Sequence, residues 1–154
     1  MKARHIIFGL AVCFLGIAVC VAQNPMMGTW KLNEAKSKFA PGARKNHTVK
    51  YEAAGENTKI TVDGMNADGQ AVHSEWTGMF DGKDYPVTGD PGSDTRSYKK
   101  VNDRTLEFTE KKGGKPVTEG RVTISPDGKT RTVTTTTTDS NGKKMKNTAV
   151  YDKS

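Results

Sequence analysis

The residues of this chain best suited to chemistry are rings and cations at alternate positions of strand-like runs, and that chemistry is ligand recognition. Trp76 and Phe80 share one face of an alternating segment, and Tyr51 and Phe108 occupy corresponding positions in two others. Rings placed this way can wall a binding site or simply fill a core. Arg121 and Tyr151 add a guanidinium and a phenol that can orient the polar end of a guest held among those rings. The pattern leaves both uses of the aromatic set open.

Groups suited to catalysis are sparse. Beyond residue 22 the histidines are His47 and His73, on different segments and without metal-ligand spacing. No serine stands in a Gly-x-Ser-x-Gly turn. Glu107 and Glu119 can face each other across neighbouring strands, but an acid–base pair also needs a cleft and a perturbed setting. The sequence therefore names no catalytic residue and no cofactor, and reads as non-enzymatic.

Two stretches approach a cation site. Asn66, Asp68, Gly69 and Glu75 fall at the third, fifth, sixth and twelfth places of a calcium loop, yet Gly64 holds the first place. The flanks also read as strands, where that loop requires helices. The stretch 84–94 carries Asp90 and Gly92, and Pro86 and Pro91 shape it as a long connection. Neither is assigned a metal.

The first 22 residues read as an export signal that is removed. Lys2 and Arg4 precede an apolar run from Ile6 to Val19, and Ala22 comes just before polar Gln23 and Asn24. The run is shorter than the roughly 20 residues a membrane span needs. One predicted domain, 23–154, then works in the periplasm or outside the cell, with no transmembrane segment. Ile17-Ala18-Val19-Cys20 is similar to a lipoprotein cleavage box, which leaves a lipid anchor at Cys20 as the alternative to soluble release. Cys13 and Cys20 both belong to this leader, so the released domain has no disulfide and no thiol chemistry. The formal charge is +7, of which Lys2 and Arg4 supply two. The remaining excess is spread in pairs such as Lys99-Lys100, Lys111-Lys112 and Lys143-Lys144, a solvated surface and not a nucleic-acid stripe.

Turn signals then set the architecture. Asp68-Gly69, Asp81-Gly82, Asp127-Gly128 and Asn141-Gly142 separate runs of strand-like content, joined by Asn102-Asp103 and Gly113-Gly114. Ten short strands are predicted, at 28–33, 47–53, 57–65, 70–80, 83–88, 94–101, 104–112, 115–125, 129–138 and 143–152. One short helix is predicted at 34–39, ended by Pro41-Gly42. Period-two pairs such as Trp30 with Leu32, Ile60 with Val62, and Val122 with Ile124 mark one buried and one wet face. The threonine run 132–138 reads as a water-tolerant strand with Val133 its only apolar residue. The fold class is all-β, an antiparallel up-and-down meander. It either closes into a barrel of 8–10 strands, which removes the exposed edges, or flattens into an open sandwich.

The opening Gly28-Thr29-Trp30-Lys31-Leu32 resembles that of lipocalins and fatty acid-binding proteins, the calycin-type barrels, in which the tryptophan closes one end. The ending Ala149-Val150-Tyr151-Asp152-Lys153 is similar to the final strand of fatty acid-binding proteins, where an Arg-x-Tyr pair grips a ligand carboxylate. Ala149 stands in the arginine's place, so the resemblance carries over Tyr151 alone. Together with Lys36-Ser37-Lys38-Phe39 and Asp81-Gly82-Lys83-Asp84-Tyr85-Pro86-Val87, these segments resemble small exported bacterial proteins loosely called lipocalin-like. The resemblance implies a closed barrel with a small hydrophobic or amphipathic ligand inside. The alternative is a cell-envelope interaction or inhibitor module, acting through its loops or its lysine-rich surface.

Overall fold

The computed structural model describes residues 24–139 and 141–154, so the expected export segment 1–22, with Cys20, lies outside the described residues. Runs of alternating apolar and polar residues between glycine-bearing turns become ten strands. They are β1 (Gly28–Leu32), β2 (Lys45–Ala54), β3 (Asn57–Met65), β4 (Ala71–Gly78), β5 (Asp81–Thr88), β6 (Thr95–Asn102), β7 (Thr105–Lys112), β8 (Lys115–Ile124), β9 (Thr130–Thr138) and β10 (Lys144–Lys153). Each pairs antiparallel with the next, and β1 pairs with β10, so the sheet closes on itself. The result is the closed up-and-down barrel, with no open sandwich. Among the described residues, no helix is long and apolar enough to cross a membrane.

Two local expectations are corrected. Only a single 3-10 turn, Glu34–Lys36, forms where a helix over 34–39 was expected. The Asn33 side chain caps it, and at Lys38 the chain bridges to Thr148 through backbone bonds of 2.7 and 2.8 Å. That extended bridge competes with helix, and it wins. Asp81-Gly82, expected to be a turn, lies inside β5, and the turn falls instead at Met79-Phe80. Gly82 takes a φ of 82°, and the β5–β6 register slips between Asp81 and Asp84, as a bulge requires.

The pleat sorts side chains cleanly. Val49, Tyr51, Ile60, Val62, Trp76, Tyr98, Leu106, Val122, Ile124, Val133, Ala149 and Tyr151 turn inward and are buried. Up-and-down topology puts alternate connections at opposite ends. The base holds the β2–β3, β4–β5, β6–β7 and β8–β9 turns together with Trp30. That ring is fully buried, donates its Nε1–H to the Met26 carbonyl at 3.0 Å, and lies under the Lys153 ammonium 5.0 Å from its centroid. The opposite end, the mouth, is crossed by the 33–44 link. Pairing is thinnest between β4 and β5, where two residue pairs alone stay in register.

Candidate ligand cavity

Inward side chains leave part of the barrel unfilled. Trp76 stacks on Phe80 and meets Tyr85 and Tyr98 edge-on, with Tyr98 continuing to Phe108 at 5.5 Å. This cluster fills one side of the interior. Toward the mouth and the β9–β10 wall a cavity of about 380 Å³ remains, within the usual size of small-molecule sites. Val49, Val62, Phe108, Val133, Ala149 and Tyr151 form much of its wall, and Phe39, Ala43 and Met145 stand near the mouth. Thr135 and Thr137 of the threonine strand also line it.

The link over the mouth is strapped down at three points. Lys38 bridges Thr148, the Ala40 N–H donates to Asn147 Oδ1 at 2.8 Å, and Arg44 reaches inward to two carboxylates. Its Nη1 donates to both Asp90 oxygens at 2.9 and 2.8 Å, and its Nη2 lies 3.3 Å from Glu110. Arg96 joins the same pair, with Nη2 at 2.5 Å from Glu110 and 3.5 Å from Asp90. Ser93 and the Gly92 N–H also donate to Asp90. The Asp90 side chain is wholly buried. Burial alone would push its carboxyl up; Arg44 and these N–H and O–H donors overcome that and hold it below the usual carboxylate range. Burial likewise opposes the Arg96 charge, and Glu110, Tyr98 and Asp90 together more than offset it. The stretch 84–94, weighed from sequence as a possible cation site, is thus where a carboxylate meets guanidiniums. The loop owes its path to Gly89, whose φ is 77° and whose α-carbon sits against the His73 carbonyl. Gly89→Ala forces a left-handed φ on a residue with a β-carbon, at about 1–2 kcal/mol before any clash. Its urea midpoint is therefore expected to fall measurably below that of the parent.

A second buried guanidinium, Arg131, also lines the cavity. It starts β9 near the base, directly across from Tyr151 in register. Its Nη2 donates to the Tyr51 hydroxyl at 3.2 Å, and its head lies 5.5 Å from the Tyr51 ring and 4.7 Å from the Tyr151 ring. Burial pushes the phenols of Tyr98 and Tyr151 up, so both are neutral donors at ordinary pH.

Of the six residues expected to bind a ligand, the structure places Phe108 and Tyr151 on the cavity wall. Tyr51 stands behind them against Arg131. Trp76 and Phe80 are corrected to the aromatic core, where their neighbours are other rings. Arg121 is corrected to the outer face, half exposed and paired with Glu107 at 2.7 Å. Its neighbour Val122 points inward, so the pleat turns Arg121 outward. His73 also stands outside, more than half exposed, 2.6 Å from Asp63. That hydrogen bond raises its pKa. Sequence reasoning missed Arg131, although it lies two places before inward-facing Val133. It missed Arg44, Arg96 and Glu110 as well, whose meeting depends on how the loops fold back.

No protein-family model matches the chain, and no curated protein matches it. Among solved structures, a redesigned beta barrel, mFAP1, bound to DFHBI aligns with a TM-score of 0.48 at 16% identity, over 84% of this chain and 95% of that one. EF1p2_mFAP2b bound to DFHBI aligns with a TM-score of 0.50 at 10% identity, over 84% of this chain and 94% of that one. At such identity the second likeness is one of fold: both chains are β-barrels, and the all-β closed barrel is the class to which this architecture belongs.

Proposed function

We propose that this is an exported, lipocalin-like, non-catalytic protein that takes up a small, partly apolar molecule in its barrel. The observation that carries the reading is the cavity of about 380 Å³, with apolar walls and a few fixed polar groups. A barrel that needed its interior only for stability would fill that volume, because tight packing is the rule for protein cores. The solved structure that aligns at a TM-score of 0.50 holds a small molecule, DFHBI, which supports the reading by analogy alone. Export rests on the leader sequence.

The direct test is native mass spectrometry of protein purified from its own host, with a co-purifying small molecule as the expected result. A second test needs no knowledge of the natural guest. The neutral probe N-phenyl-1-naphthylamine is expected to brighten on binding the parent protein. Ala149→Phe pushes a ring into the cavity from β10, at an overpacking cost of about 1–3 kcal/mol. That variant should still unfold cooperatively and should lose probe binding. Equal binding by parent and variant would place the probe elsewhere and remove the interior-carrier reading.

A further inference from the structure

We infer that the guest is a monoanion whose acidic head seats on Arg131, with its apolar body running toward the mouth. The inference rests on the carrier reading above and adds the chemical class of the ligand. Its basis is the charge balance of the interior. Among the described residues, the charged groups lining or backing the cavity are the guanidiniums of Arg44, Arg96 and Arg131 and the carboxylates of Asp90 and Glu110. Both carboxylates are committed to Arg44 and Arg96. Arg131 has no carboxylate. Its hydrogen-bond partner is the Tyr51 hydroxyl, and its other company is the faces of two tyrosine rings.

Two of its nitrogens, Nε and Nη1, are buried and have no protein acceptor. Arg96 Nε shares that condition, but the Arg96 charge is already matched by two carboxylates. An arginine stays protonated even when buried, so the surplus at Arg131 is a full positive charge in a low-dielectric interior. Such a charge is stable only with a counter-ion and acceptors for its N–H groups. One negative oxyacid head, such as a carboxylate or sulfonate, supplies both. Tyr51 accepts from Nη2, which leaves its own proton to donate to the same head.

The surroundings set the orientation. Arg131 lies at the base end of β9, and the inward residues that follow it are Val133, Thr135 and Thr137. A head at Arg131 therefore leads to an apolar waist at Val133 and Ala149, which face each other in register, and then to Thr135 and Thr137 toward the mouth. The ligand is an amphiphile held head-down.

The experiment compares 1-anilinonaphthalene-8-sulfonate with N-phenyl-1-naphthylamine, which has the same ring system without the charge. Both are titrated into the parent protein, Arg131→Met and Arg131→Lys, with the melting curve of each variant recorded. The parent is expected to bind the sulfonate more tightly than the neutral probe by about tenfold or more, as hydrogen bonds to charged groups allow. Arg131→Met should lose about 10- to 100-fold for the sulfonate and stay within about twofold for the neutral probe, while Arg131→Lys keeps part of the preference. Equal binding of the two probes by the parent overturns the inference whatever the variants do. So does a sulfonate affinity unchanged in a folded Arg131→Met. Binding of the neutral probe alone removes the monoanion and leaves the carrier; binding of neither removes both.

Discussion

Asp90→Ala is expected to destabilise the barrel by about 3–5 kcal/mol, the usual cost of stripping one partner from a buried charged network. That is a large share of the roughly 5–15 kcal/mol that holds a domain of this size. The Asp90 carboxylate is wholly buried and accepts from Arg44, Arg96, Ser93 and the Gly92 N–H. Removing it leaves Glu110 to neutralise two guanidiniums, frees the loop that follows Gly89, and cuts one of the three straps across the mouth. Urea denaturation of parent and variant at neutral pH measures the loss, and coincident midpoints would show that the network contributes nothing.

The same carboxylate gives the parent a definite acid response. Its pKa in the folded protein lies below that of an ordinary aspartate, so it is the unfolded chain that takes up its proton first as pH falls. Its contribution is complete above that value and is lost as pH drops through the depressed folded value. Asp90→Asn, which cannot titrate, is expected to show a lower stability at neutral pH and a flatter decline as pH falls below about 4. Parallel decline in both proteins would assign the acid sensitivity to other carboxylates.

Trp30→Ala is the second large effect, at about 3–5 kcal/mol by the general cost of large aromatic-to-alanine changes in cores. The indole is fully buried at the base, bonded to the Met26 carbonyl and stacked under Lys153. Its strand pairs with both β2 and β10, so the void would open where the barrel is sewn shut. A Trp30→Phe variant keeps the bulk and loses the N–H, and should recover most of the difference. A melting curve unchanged in Trp30→Ala would mean that the ring is not the plug it resembles.

The strands were legible because turn chemistry and pleat are both local. The stretch 57–65 contains β3 to the residue, and the Asp127-Gly128 and Asn141-Gly142 turns fall where hairpins require them. Errors came where a distant partner decided the outcome. Glu34 to Phe39 has helical content, but Thr148 on β10 captures Lys38 and straightens the chain. The cavity was less legible than the strands. Arg121 could have been placed outside from the inward pair Val122 and Ile124 alone, and Arg131 placed inside from Val133. The Asp90 network could not be read in this way, since its members sit on a link, a loop and two strands whose sequence positions are unrelated.

The seam between β1 and β10 also dictates an order of events. Hairpins between successive strands form from neighbours in the chain, whereas Asn33 and Asp152, hydrogen-bonded at 2.7 Å across this seam, are 119 positions apart. Ring closure joins the most distant parts of the chain and is expected to come last, after the hairpins have formed. Until it happens, β1 and β10 each show a bare edge able to recruit another molecule. The interval before the final strand docks is the protein's period of greatest exposure to self-association, and whatever hastens that docking shields the nascent barrel.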